Sequence, residues 1–147
     1  MKSTSEPLVS IIMNCYNGEK FLREAIDSVY AQIYQNWEII FWDNNSIDQS
    51  INLIKKIKDK RLKIFKSSKT IRLYDARNHA INRSTGKFLA FLDIDDTWHP
   101  KKIEKQMRRL FSNIERDKLF SNYEREKLLS TKNEKYTLEQ QTRKSYS

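Results

Sequence analysis

Three carboxylates fall within four positions in "FLDIDDTWHP", residues 91–100, directly after an apolar run. Asp93, Asp95 and Asp96 are out of character in a chain with twenty-eight basic and nineteen acidic residues. Anions that close repel one another and raise each other's pKa unless a cation joins them. Carboxylate oxygens suit Mg2+ or Mn2+, hard ions that take oxygen ligands and bridge substrate phosphates. The same residues have a plainer use: Asp93 or Asp96, helped by Thr97, can cap a following helix.

Asp43 also ends an apolar run, "WEIIFW". Its carboxylate could accept hydrogen bonds from a base or ribose, or organise the "DNNS" turn. Tyr16 either stacks a base or fills core. Arg72 and Arg77 could grip phosphate bidentately, or lie unengaged on a helix surface. His79 and His99 have no second ligand at metal spacing, and Cys15 reads as a buried small residue. Nucleotide phosphates are usually cradled by glycine-rich turns. This chain has two glycines, Gly18 and Gly86, so neither a G-x-G-x-x-G turn nor a Walker loop exists. A diphosphate would have to be neutralised by a metal held on Asp95 and Asp96.

These residues need a scaffold, and the periodicity supplies one. "LVSIIM" (8–13), "WEIIFW" (37–42), "RLKIFK" (61–66) and "KFLAFL" (87–92) read as strands, the last strand candidate being "KLFSNY" (118–123). Between them, "EKFLREAIDSVYAQ" puts Phe21, Leu22, Ala25, Ile26, Val29 and Tyr30 on one helical stripe. Ser46 and Gln49 have capping-box spacing before a helix with Ile47, Ile51, Ile54 and Ile57 on one face. "YDARNHAINRSTG" is a helix that Gly86 can end at the C′ position. Pro100 suits the first turn of a further helix, with Ile103, Met107, Leu110 and Phe111 inward. Fourfold strand–helix alternation predicts an α/β, mostly parallel sheet with helices on both faces. Ligands bind such sheets outside the C-terminal strand ends. "NCYNG", "DNNS" and "DIDD" would converge on that rim.

At 147 residues the chain is long enough for one domain with a real core. The expected organisation is an N-terminal tail over 1–7, a domain over 8–123 and a polar, frayed tail over 124–147. No apolar stretch is long enough to span a bilayer, the start lacks a signal-peptide pattern, and one cysteine fits a reducing compartment. These features predict a cytoplasmic protein. Of the net charge of +9, residues 99–147 carry +6, with thirteen basic against seven acidic side chains. Such an excess can attract nucleic acid, an anionic membrane surface or a phosphorylated ligand.

"VSIIMNCYNGEKFLREAIDSV", "WEIIFWDNNSIDQS" and "ARNHAINRSTGKFLAFLDIDDTWHPKKIEKQ" together resemble the family 2 glycosyltransferases, in register over about residues 8 to 107. The resemblance implies a GT-A-type, Rossmann-like fold and a nucleotide-diphospho-sugar donor. It implies that Tyr16 lies against the base and Asp43 hydrogen-bonds it. Asp93 is the first carboxylate of the family's signature. Asp95 and Asp96 occupy its D-x-D site, Asp95 near ribose or metal and Asp96 on the metal, Mg2+ or Mn2+. Arg72 or Arg77 would assist the nucleotide. The implied reaction is transfer with inversion to an acceptor saccharide, free or lipid-linked, in envelope or surface polysaccharide synthesis. The basic C-terminal third could hold such an enzyme peripherally at anionic lipid on the inner face of the membrane, and no nucleic-acid partner is expected. Asn14 stands where a proline is usual, and "DNNS" where "DDGS" is commoner. Only 51 residues follow Asp96, with no counterpart of the family's later acidic motif. The C-terminal acceptor half is therefore expected to be missing, and no residue can be named as catalytic base.

Two alternatives compete. "LDIDDT" also fits the D-x-D-x-T signature of haloacid-dehalogenase-like phosphohydrolases, with Asp93 as nucleophile and Asp95 as acid/base. That family places its motif on the first strand and needs a longer downstream region. A non-enzymatic basic module is the other, but no nucleic-acid motif or aromatic interleaving supports it.

Overall fold

The computed structural model describes residues 6–116 and 136–138. Elements alternate in chain order: β1 (Val9–Cys15), α1 (Glu19–Tyr30), β2 (Trp37–Asp43), α2 (Ser50–Ile54), β3 (Leu62–Lys66), α3 (Leu73–Arg83), β4 (Phe88–Phe91), α4 (Lys102–Arg116) and β5 (Tyr136–Thr137). The strands form one sheet in the order β3-β2-β1-β4-β5, with every pairing parallel. A parallel sheet must be covered on both faces, and β1 and β2 are accordingly buried along almost their whole length.

Strand alternation divides the core into two layers. Val9, Ile11, Met13 and Cys15 of β1, with Ile39 and Phe41 of β2, pack beneath α1, α2 and α4. Ile12, Ile40, Trp42 and Leu89 face α3, whose Ala76 and Ala80 let the helix approach closely. On α1 the buried stripe is Leu22, Ala25, Ile26 and Val29, at i, i+3, i+4 and i+7. Phe21, placed on that stripe by periodicity, is 41% exposed at its edge. Ile103, Met107 and Leu110 bury α4 as expected, with Phe111 partly buried beside them.

Three local expectations fail for identifiable reasons. The capping box does not form, because α2 starts only at Ser50 and the Ser46 hydroxyl accepts the Asn17 N–H instead. Ile47 consequently lies outside the helix and is 88% exposed. Gly86 does not occupy a C′ position, since α3 stops at Arg83 and Gly86 has no positive φ. Its role is close approach to β1: a Cβ there would meet Ser10 Oγ at 2.5 Å and Leu8 O at 2.8 Å. Gly86→Ala must push backbone against backbone, at a cost of about 1–3 kcal/mol. Urea unfolding should show a lowered midpoint with an unchanged slope; an unchanged midpoint would refute the crowding argument.

"KLFSNY" (118–123) lies outside the described residues. Within the 124–147 stretch read as tail, Tyr136 and Thr137 pair in parallel with Phe88 and Leu89, and Leu138 is buried in the core. A two-residue strand has no periodicity for sequence reading to detect.

Candidate functional site

Beyond the strand ends, the loops are tied to one another in a closed ring. Asn17 opens it in the left-handed region, at φ 49°, which asparagine tolerates. Its N–H donates to Ser46 Oγ at 2.9 Å, and its Oδ1 accepts from the Ile47 N–H at 2.9 Å. Gly18 N–H donates to Ser50 Oγ, while Glu19 N–H donates to Asp48 and Gln49 N–H donates to Glu19. The loops after β1 and β2 are therefore stitched together. Asn44 continues the ring, its amide bonding both the carbonyl and the N–H of Ile71 before α3. From α3, Arg77 reaches Asp93 after β4 at 3.0 Å. The ring closes where Ile94 packs against Gly18, which has no room for a Cβ: one would lie 2.8 Å from Ile94 Cγ1.

Asp43 sits inside this ring with no exposed surface. Parallel pairing aligns it with Cys15. Its Oδ2 accepts the Ser46 N–H at 3.0 Å, so the turn-organising role is real. Its Oδ1 is buried and has no hydrogen-bond partner. A buried carboxylate oxygen left unpaired is costly, and such an atom calls for an explanation. A ligand N–H or O–H would supply the missing bond once the surrounding loops part to admit it, since Oδ1 has no surface open to the rim here. Cys15 is buried nearby, and that burial pushes its thiol pKa up, in keeping with a packing role.

Tyr16 is 54% exposed, so it is not core filling and remains available at the rim for stacking. The two arginine candidates separate. Arg77 is joined to Asp93 within the ring, while Arg72 is exposed and pairs with Asp75 on its own helix. His79 stacks on Trp42, with ring centroids 5.1 Å apart, and so has a structural use that its sequence position did not reveal.

Asp95 and Asp96 are both exposed beyond β4, and among the described residues neither carboxylate has a hydrogen-bond or ion-pair partner. Among those residues, no three His, Cys, Asp or Glu side chains are gathered into a metal cage. A dedicated protein cage is therefore absent from the described residues. Mg2+ in nucleotide sites is commonly held by one or two carboxylates plus substrate phosphates and water. Two unengaged hard carboxylates fit that donor set.

The parallel sheet with carboxylate-bearing loops at its C-terminal edge is a GT-A-type glycosyltransferase fold. The chain belongs to glycosyl transferase family 2, whose family model matches residues 10–136. It is 38% identical over 106 residues to the UDP-Glc:alpha-D-GlcNAc-diphosphoundecaprenol beta-1,3-glucosyltransferase WfgD of Escherichia coli. That match covers 72% of this chain and 42% of WfgD. An uncharacterized glycosyltransferase of Haemophilus influenzae is 41% identical over 109 residues, 73% of this chain and 44% of that protein. The chain thus spans less than half the length of these relatives. Among solved structures, S. aureus TarS 1-349 superposes with a TM-score of 0.67 at 25% identity, covering 71% of this chain and 32% of TarS. The mannosyltransferase PcManGT from Pyrobaculum calidifontis, solved with GDP-Man and Mn2+, has the same fold, with a TM-score of 0.67 at 22% identity over 71% of this chain and 32% of that one.

Family membership sets aside the phosphohydrolase alternative, and Asp93, its nucleophile, follows the fourth strand rather than the first and is engaged by Arg77 of α3.

Proposed function

We propose that this chain binds a nucleotide-diphospho-sugar at the rim and presents it for transfer to an acceptor hydroxyl. The observation that carries the reading is the buried, unpartnered Oδ1 of Asp43 inside a ring of loops. As an acceptor-only group it selects a ligand that donates, as a base N–H or a ribose hydroxyl does. Tyr16 supplies an exposed aromatic face for the base. Asp95 and Asp96 would hold Mg2+ or Mn2+, and Asp95 could also meet the ribose. The bound ion would neutralise the diphosphate and favour its departure. Arg77 holds Asp93 beside these carboxylates, whereas Arg72 is the weaker candidate for phosphate because it points charge only at Asp75. Displacement of the diphosphate by the acceptor oxygen inverts the sugar carbon. The proton-accepting carboxylate is assigned to no residue.

WfgD, named for UDP-Glc and a diphosphoundecaprenol acceptor, supports a similar use here: sugar transfer to a lipid-linked saccharide in surface polysaccharide synthesis. Work on a lipid-linked acceptor would place the protein at the inner face of the membrane, as a peripheral protein. Among the described residues, no helix is long and apolar enough to cross a membrane.

Calorimetric titration of UDP and GDP, with and without Mn2+, tests the donor site. Nucleotide binding should require Mn2+, and Asp96→Ala should weaken it by about tenfold or more through loss of a charged metal ligand. Metal-independent binding that survives this substitution would overturn the metal assignment. No binding of any nucleoside diphosphate would overturn the function.

A further inference from the structure

At the β3 end of the rim, three large apolar side chains stand in the open. Ile47, in the loop after β2, is 88% exposed, and Leu73 and Tyr74, which open α3, are 53% and 70% exposed. A single exposed leucine needs no explanation, but several gathered on one edge do. Hydrogen bonds do the gathering. Asn44 bonds both backbone groups of Ile71, and Asn45 Nδ2 donates to Thr70 Oγ1 at 3.4 Å. The loop carrying Ile47 is thereby fastened to the one that leads into Leu73. Leu73 also continues the stripe of Ala76 and Ala80, at i, i+3 and i+7, yet it alone of the three is uncovered.

Cations accompany them. The segment "KSSKTIRLY", residues 66–74, holds three basic residues and no acidic one. Arg72 is paired with Asp75. Lys66 and Lys69 are exposed, and among the described residues neither has an ion-pair partner. Asp48, beside Ile47, accepts the Glu19 and Ser50 N–H groups. The unengaged carboxylates of the rim, Asp95 and Asp96, follow β4, three strand spacings from β3 and so about 14 Å across the sheet. One end of the rim is apolar and basic, the other acidic.

Apolar side chains flanked by free ammonium groups match the surface of an anionic bilayer, where lysines meet headgroup phosphates while aliphatic and aromatic groups enter the acyl boundary. Tyrosine suits that depth, with an apolar ring and a polar tip. A nucleic acid would use the cations but leave Ile47 and Leu73 in water. We propose that the β3 end of the rim docks on an anionic lipid bilayer, with Ile47, Leu73 and Tyr74 inserted and Lys66 and Lys69 on the headgroups. Such docking rests on the donor-site reading above and serves it. It would hold the rim beside a lipid-linked acceptor, with Asp95 and Asp96 at the end away from the lysines.

The test uses the whole chain, without nucleotide, and vesicles of phosphatidylglycerol or phosphatidylcholine. Sedimentation with the first and not the second is expected, weakening as salt rises. Residues 99–147 carry +6 and could bind by charge alone, so position is read as well. Cys15 is buried, which leaves a cysteine introduced at the surface to take a polarity-sensitive dye. Its emission should shift to the blue on phosphatidylglycerol vesicles in Ser68→Cys. It should stay unchanged in Lys60→Cys, before β3 at the N-terminal edge of the sheet. Lys66→Gln and Lys69→Gln should each weaken sedimentation about fivefold, whereas Lys55→Gln and Lys56→Gln at the end of α2 should leave it nearly unchanged. Tyr74→Ser should weaken it too, while retaining nucleotide affinity in solution. The proposal is overturned by equal losses from the two lysine pairs, by a dye shift absent at position 68 or equal at position 60, or by Tyr74→Ser sedimenting like wild type. Self-association lost in Tyr74→Ser, without vesicle binding, would assign the patch to a second copy of the chain and overturn it as well. Nucleotide binding is measured without vesicles, so failure of the donor site and failure of the docking surface show in different experiments.

Discussion

Asp43→Asn is expected to weaken nucleotide binding by about ten- to a hundredfold while leaving the thermal midpoint unchanged or raised. The substitution preserves shape and the carbonyl oxygen that accepts the Ser46 N–H. It replaces Oδ1, the buried oxygen without a partner, by an NH2 group that can only donate. A ligand N–H arriving there would meet another donor, losing a bond to a charged group worth about 1.5–3 kcal/mol. The unliganded protein, by contrast, no longer carries a buried charge with one oxygen unpaired, which should help its stability. Function and stability thus move in opposite directions, as expected of a site held in readiness for ligand. Titration calorimetry and thermal unfolding on the same samples check both halves. A parallel loss of stability and binding would make Asp43 merely the organiser of its turn.

The scaffold was legible because it rests on periodicity. The apolar runs at β1, β2 and β4 and the stripe of α1 signal a doubly covered parallel sheet without reference to any partner. The convergence of the three loops followed from that topology alone. What could not be read were relations between residues distant in sequence. Nothing near Ser46 says that its hydroxyl will serve Asn17 rather than a helix. Likewise, Gly86 looks like a helix stop until Ser10 occupies the space its Cβ would need. The choice between Arg72 and Arg77 was open for the same reason: five residues apart, they diverge once α3 aims only Arg77 at Asp93.

Glu38 is the clearest residue that sequence reading passed over, and its loss should have the largest effect on stability. It lies within "WEIIFW", a strand read simply as buried, and is 4% exposed. Its Oε1 accepts from Ser10 Oγ, Thr85 N–H and Thr85 Oγ1, and its Oε2 pairs with Lys63. One carboxylate thereby joins β1, β2, β3 and the turn into β4. Glu38→Ala leaves the buried Ser10 hydroxyl and the Thr85 N–H without an acceptor and, at about 1–3 kcal/mol for each, should cost about 2–5 kcal/mol, while Lys63 is exposed enough to be solvated. Burial by itself pushes the Glu38 carboxyl pKa up, but the bonds from Lys63, Ser10 and Thr85 outweigh it and hold it below the ordinary 4.5. A carboxylate with a lowered folded pKa contributes stability that is present above 4.5 and lost as pH falls through the folded value. Glu38→Gln removes that dependence, so the gap between wild type and variant should narrow as pH falls below 4.5. A gap that stays constant there would refute the ionised role. Glu38 also stands five residues before Asp43 on the same strand, about 17 Å from it. Below its lowered melting temperature, Glu38→Gln should therefore bind nucleotide with near wild-type affinity, the inverse of Asp43→Asn. Measured together, the two substitutions separate what holds the sheet from what the sheet holds.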